Sequence, residues 1–154
     1  MNDNILQKGK ITAISVSEKK GIPKSNTGTA VLIENWGIEG DAHAGDWHRQ
    51  ISLLAVESIN RMKEKGLPDL KPGIFAENIT TEFINLPLLP IGSILEIGDN
   101  CKIEITQIGK ECHSRCVIYE TAGDCVMPKE GIFAKVVKGG IIHTNDEIRI
   151  INQV

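Results

Sequence analysis

Short segments that alternate apolar and polar residues, separated by turn-forming residues, recur along most of the chain. Such segments are typical of half-buried β-strands. We predict strands at residues 10–17, 29–34, 51–55, 75–81, 93–97, 102–108 and 147–151. Residues 131–137 fit either a helix or a strand. Strands at this spacing favour a closed or nearly closed barrel over a parallel sheet flanked by helices.

One segment has a clear helical period. Over residues 56–65, Val56, Ile59 and Met62 fall on one face, and Gly66 can end the helix. The predicted fold class is therefore mostly β, a closed or nearly closed β-barrel with one or two short helices.

Length and charge narrow the functional classes. The 154 residues suit a single domain, and the net charge of -3 gives no bulk attraction to nucleic acid or to an acidic membrane. No apolar run approaches the ~20 residues that span a bilayer, and residues 1–9 lack the apolar stretch of a signal peptide. We expect a cytoplasmic protein whose four cysteines are reduced thiols.

Three of those cysteines, Cys112, Cys116 and Cys125, fall within fourteen residues. The same segment carries three cationic or potentially cationic side chains, Lys110, His113 and Arg115. Nearby cations lower a thiol pKa and favour the thiolate, which is the form that attacks sulfur and binds soft metals. Because the segment follows a predicted strand, we expect it to present a reactive thiol in a loop.

Two alternatives remain for the cysteines. A free cysteine is often only a small buried apolar residue, which is our expectation for Cys101. Cys112, Cys116 and Cys125 together with His113 could instead form a structural zinc site, although no second ligand pair with zinc-like spacing follows.

A second unusual segment, residues 40–50, is dense in glycine, aspartate and histidine, and it contains Asp41, His43 and Arg49. The planar guanidinium of Arg49 suits a phosphate, since it donates two hydrogen bonds at once. A polar turn or a metal site would explain the same residues. The pair Glu77–Asn78 interrupts a predicted strand, and a surface turn would explain it equally well.

Taken together, these segments resemble the MOSC family, named for the C-terminal domain of molybdenum cofactor sulfurases. The resemblance covers residues 10–150. The order and spacing of its motifs are together more specific than any single motif. Its motifs are residues 10–17, 40–45, 49–54, 73–79, 91–92, 110–116 and 123–128.

The resemblance implies a MOSC or pyruvate-kinase-barrel-like fold, here a stand-alone domain over residues 1–154 with a core at 10–151. It implies that Cys116, in Ser114-Arg115-Cys116, matches the cysteine that ligates molybdenum in amidoxime-type reductases. The cofactor, molybdopterin, would then be bound by Cys116 and by Arg49, His43, Asp41, Arg115, Lys110 and Asn78, with Cys112, His113 and Cys125 as secondary candidates. Either Arg49 or the early lysines Lys19, Lys20 and Lys24 would lie near its phosphate.

Three functions follow from these observations. The first is a molybdenum cofactor-binding or carrier module. The second is a sulfurtransferase acting through a Cys116 persulfide, and the third is an interaction domain with a structural zinc site. The expected partners are a cysteine desulfurase or a molybdoenzyme, with no nucleic acid and no membrane. The family also suggests pyridoxal phosphate, but no segment here resembles its lysine site.

Overall fold

The computed structural model describes residues 7–20, 22–66, 70–109 and 131–152, and it describes Asn152 by its backbone alone. Within these ranges the strands are β1 (Gln7–Val16), β2 (Ser25–Asn26), β3 (Thr29–Ile33), β4 (Gly37–Ile38), β5 (Ile51–Ala55), β6 (Ile79–Glu82), β7 (Ile94–Ile97), β8 (Cys101–Ile108), β9 (Ile132–Lys138), β10 (Gly140–His143) and β11 (Glu147–Asn152). One α-helix, α1 (Val56–Glu64), and a 3₁₀ turn (Leu86–Leu88) complete the described elements.

Seven of the described strands close into a barrel. Their order is β11-β7-β8-β9-β5-β6-β1, and β1 pairs with β11 to close the ring. Every pairing is antiparallel except that of β5 with β6, which are parallel and are connected through α1. β10, β3 and β4 form a separate small sheet. The predicted fold class, mostly β with a closed barrel, is confirmed.

The barrel interior is filled mainly by isoleucine and leucine. Ile11, Leu53, Ile103 and Ile132 are among its fully buried members. β-branched side chains suit a pleated, buried surface, which explains why these segments form strands. Where β1 crosses the barrel, its register against β6 shifts between Ile11 and Ala13.

α1 packs on the outside of the barrel. Ile59 and Met62 join Leu54, Phe75 and Phe133 in a second apolar cluster. The helix ends as predicted, because Gly66 follows it with a φ of 107°. No described helix is long and apolar enough to cross a membrane.

Three features of the chain differ from the sequence-based prediction or complete it. Residues 131–137 form a strand, β9, which resolves the alternative left open. The strand predicted at 75–81 begins only at Ile79, since residues 73–76 form a turn. β10 was not predicted at all. It pairs with β3 at Ile141↔Val31, a contact between residues far apart in sequence.

β8 and β9 together determine where the cysteine segment leaves the barrel. Their last pair is Ile108↔Ile132, and the Gly109 amide donates to the Gly131 carbonyl at 2.6 Å. Gly109 and Gly131, the described residues on either side of the cysteine segment, therefore lie side by side at the end of the β8–β9 ladder.

Candidate functional site

A buried ion pair joins Lys24 to Asp41, which belongs to the segment of residues 40–50. Lys24 Nζ is 2.8 Å from Asp41 Oδ1, and neither side chain is exposed. The same ammonium lies 3.0 Å from Ser17 Oγ and 3.0 Å from His43 Nδ1. An ammonium has three N–H donors, so these three contacts use all of them. Lys24 is thus occupied inside the protein, which gives it a different role from the phosphate contact predicted from sequence.

Asp41 ties the chain after β1 to the turn that contains His43. Its Oδ1 accepts from the Ser17 amide at 3.1 Å, and its Oδ2 accepts from the His43 amide at 3.1 Å. Burial by itself raises the pKa of Asp41, but the hydrogen bond from Lys24 and the backbone amides outweigh it and hold that pKa below its ordinary value. Asp41 is therefore ionised at neutral pH.

Trp47 provides the aromatic part of the site. Its Nε1 donates to the His43 carbonyl at 2.8 Å, and the two rings are parallel within 3° with centroids 6.4 Å apart. Lys20 Nζ lies 4.5 Å and Arg49 Cζ lies 4.7 Å from the indole centroid, within cation–π range. We call Lys20, His43, Trp47 and Arg49 the Trp47 surface.

Arg49 connects this surface to the barrel wall. Its guanidinium carbon lies 5.5 Å from the centre of the Phe133 ring, and Phe133 is in β9. Arg49 Nε is buried and has no hydrogen-bond partner among the described residues. A buried guanidinium N–H without a partner is costly, and this makes Arg49 a natural donor for a further acceptor.

The neighbouring residues attach the segment to the strands that flank residues 110–130. His48 Nε2 is 2.8 Å from Gln107 Oε1, and Thr106 Oγ1 donates to the His48 carbonyl. Gln107 Nε2 in turn donates to the Gly109 carbonyl at 2.7 Å. The contacts run from His48 to the last described residue before the cysteine segment.

Glu77 and Asn78 organise the turn before β6. The buried Glu77 carboxylate accepts from the Gly73 amide at 2.8 Å and the Phe75 amide at 3.2 Å. Burial raises the pKa of Glu77. Asn78 is fully buried, and its amide bonds to Ser52 and to the Ser15 carbonyl. These described contacts of Asn78 are all with the protein, so its contact with a cofactor stays a prediction.

The structure places the His43 ring and the Arg49 guanidinium beside Trp47, and the Asp41 carboxylate accepts from the His43 backbone amide. A common role of the three in cofactor binding stays a prediction. The predicted residues of the cysteine segment lie outside the described residues: Lys110, Cys112, His113, Arg115, Cys116 and Cys125. Their proximity to Arg49 therefore stays a prediction. Within the described ranges no three His, Cys, Asp or Glu side chains are grouped to hold a metal.

Sequence reasoning missed several residues of the site. Trp47 lay inside the segment already singled out, but its role depends on partners such as Lys20. Gln107 and Ser17 carried no signal, since each matters only through a contact made in the fold. Cys101 behaves as expected, because it is fully buried in the barrel core.

Comparison with known proteins identifies the family. Residues 40–149 match the model of the MOSC domain. The chain belongs to the MOSC domain family. The matched range includes the 40–50 segment, the turn before β6 and the whole cysteine segment. No curated protein sequence matches the chain.

Solved structures share the fold of this MOSC domain. The YuaD protein from Bacillus subtilis is similar with a TM-score of 0.79 at 18% identity, over 93% of this chain and 95% of that one. YiiM from Geobacillus stearothermophilus is similar with a TM-score of 0.70 at 17% identity, over 94% of this chain and 75% of that one. YiiM from Escherichia coli has a TM-score of 0.65 at 16% identity, with 94% and 71% covered. At these identities the likeness concerns the fold.

Proposed function

We propose that this MOSC domain binds the molybdenum cofactor, with Cys116 as the ligand to molybdenum and the Trp47 surface as the contact for the anionic pterin. The single observation that carries the proposal is the attachment of residues 48–49 to β8 and β9. The His48–Gln107 hydrogen bond and the Arg49–Phe133 contact hold the Trp47 surface against the two strands between which residues 110–130 are inserted.

The chemistry of the donor set fits this cofactor. Molybdopterin has a flat pterin ring and an anionic phosphate. The Trp47 surface combines an indole with two cations, Lys20 and Arg49. The Arg49 Nε–H lacks an acceptor among the described residues, and a charged donor aimed at a phosphate forms one of the stronger hydrogen bonds. A cysteine thiolate suits a soft-binding metal centre.

Each group has a separate task in this proposal. Arg49 and Lys20 bind the anionic phosphate of the cofactor, and Trp47 lies against the flat face of its pterin ring. Asp41 and Lys24 orient His43 from below, and Cys116 supplies the sulfur ligand. When bound, the cofactor itself supplies the molybdenum centre and its redox chemistry. The protein would carry the cofactor to a molybdoenzyme or hold it for one.

Native mass spectrometry with elemental analysis tests the proposal. Protein purified from a host that makes the cofactor should carry an organic ligand plus molybdenum. Cys116→Ser should carry clearly less molybdenum, whereas Cys101→Ala, at the buried core thiol, should carry as much as the wild type. Added mass of one sulfur on Cys116 without molybdenum would favour the persulfide sulfurtransferase instead. Zinc alone would favour the structural zinc site, and either result would overturn cofactor binding.

A further inference from the structure

The contact between Lys24 and His43 determines which ring nitrogen of His43 carries a proton. Lys24 Nζ lies 3.0 Å from His43 Nδ1. An ammonium only donates hydrogen bonds and has no acceptor, so Nδ1 must contribute a lone pair. A neutral imidazole with its lone pair on Nδ1 carries its proton on Nε2.

The contact with Lys24 does not fit the other neutral tautomer of His43, in which the proton is on Nδ1. A proton on Nδ1 would face the Lys24 ammonium, which has no lone pair to accept it, and Asp41 Oδ2 is 3.9 Å from Nδ1, beyond hydrogen-bond distance. That oxygen already accepts from the His43 backbone amide at 3.1 Å. Asp41 Oδ1 pairs with the buried Lys24 ammonium at 2.8 Å.

We propose that Lys24 is a positioning residue that holds His43 as its neutral Nε2–H tautomer, so that the ring can act only as a hydrogen-bond donor at Nε2. With its proton on Nε2, the ring has no Nε2 lone pair to act as a base or to ligate a metal. Any group that binds the ring at Nε2, whether from the protein or from a ligand, must therefore be an acceptor. This deepens the proposed function and rests on it for the identity of the ligand.

The position of the His43 ring agrees with this role. Its side chain is 21% exposed, whereas Lys24 and Asp41 beneath it are not exposed at all. The parallel indole of Trp47 limits how the ring can turn. The buried ion pair therefore acts on a ligand only through the histidine.

His48 offers an internal reference in the same segment. Its Nε2 faces Gln107 Oε1 at 2.8 Å, and the orientation of that amide follows from the bond between Gln107 Nε2 and the Gly109 carbonyl. His48 thus also donates from Nε2, but to a neutral amide. A change at Lys24 should leave the His48 tautomer as it is.

Nitrogen NMR of the histidine-labelled protein tests the tautomer directly. At neutral pH, two-bond correlations from the ring protons should show a lone-pair-bearing Nδ1 and a protonated Nε2 for His43, assigned by its loss in His43→Gln. A proton on Nδ1, alone or together with one on Nε2, would overturn the proposal. This measurement needs neither a variant of Lys24 nor any ligand.

A neutral replacement of the ion pair tests the cause. The double variant Lys24→Met with Asp41→Asn leaves no buried charge unpaired, and it should let a proton appear on His43 Nδ1 in part of the molecules. The control Ser17→Ala removes a different partner of Lys24 and should keep the single tautomer. An unchanged His43 spectrum in the folded double variant would show that Lys24 does not set the tautomer. Failure of wild-type protein to carry molybdenum cofactor, with the tautomer as expected, would overturn the proposed function alone.

Discussion

Removing the Lys24 ammonium should destabilise the fold more than most surface changes. In Lys24→Met the Asp41 carboxylate would stay buried, with only the Ser17 and His43 amides to stabilise its charge. Breaking a buried ion pair by removing one partner costs about 3–5 kcal/mol. The two remaining amide bonds place the expected loss near the lower end, about 3 kcal/mol, which for a domain of this size lowers Tm by roughly 6–12 °C.

Urea unfolding of four proteins measures this loss: wild type, Lys24→Met, Asp41→Asn and the double variant. The double variant should lose clearly less than the sum of the two single changes, since it leaves no unpaired charge. A loss below about 1 kcal/mol in Lys24→Met, or strict additivity, would refute the reasoning, because a buried pair must couple.

The same pair gives the wild-type protein a pH dependence of definite sign. The pKa of Asp41 is lowered in the folded state, so its contribution to the free energy of unfolding is fully present above the ordinary value of 3.8. That contribution is lost as the pH falls below 3.8 through the folded-state pKa. The free energy of unfolding of Asp41→Asn should therefore fall less steeply than that of the wild type as the pH decreases below 3.8. Equal acid profiles of the two proteins would contradict the assignment.

Three further predictions concern other parts of the site. Gly73→Ala should cost more stability in urea than Gly28→Ala, although both glycines have positive φ. An added Cβ at Gly73 would lie 2.2 Å from the Lys24 carbonyl oxygen, whereas one at Gly28 would meet nothing. Equal losses in the two variants would contradict the close approach at Gly73. Glu77→Gln should cost about 1–3 kcal/mol, since an amide nitrogen would replace one of the two oxygens that accept buried donors, and an unchanged unfolding midpoint would show that the carboxylate does not organise the turn. Cys116 should be alkylated at neutral pH faster than Cys101, whose pKa is raised by burial and by the nearby Asp146 charge; mass-spectrometric mapping that finds Cys101 labelled as fast would argue against a reactive Cys116.

The barrel could be predicted because its signals are local. The alternation in residues 10–17, the apolar run in β5 and the stop at Gly66 each depend on a few neighbouring residues. β10 could not be predicted in this way, since Gly139 and Gly140 favour a turn by composition and the strand forms only through its pairing with β3. The stretch before Ile79 was predicted as strand because its apolar residues suit one, but the buried Glu77 carboxylate gathers its amides into a turn.

The candidate site shows the same division between local and long-range signals. The density of charge and glycine in residues 40–50 singles out Asp41, His43 and Arg49, and the structure places His43 and Arg49 beside Trp47. Lys24 is one of the early lysines that the sequence places near a phosphate, but the structure buries its side chain. Its burial depends on Asp41, seventeen residues later, and no pattern along the chain shows that the two meet. The attachment of His48 to Gln107 likewise joins residues that are distant in sequence.

Titration of the isolated molybdenum cofactor into wild type, Arg49→Ala and Cys116→Ser tests the central claim most directly. Loss of charge-assisted hydrogen bonds should weaken binding to Arg49→Ala by about 1.5–3 kcal/mol, roughly 10- to 150-fold. The control Arg61→Ala, on α1, should bind as wild type does. Cys116→Ser should retain part of the pterin affinity but lose the one molybdenum–sulfur bond that Cys116 would supply, which X-ray absorption would detect as one fewer sulfur neighbour. Wild-type affinity and ligation in both site variants would contradict cofactor binding by Cys116 and the Trp47 surface.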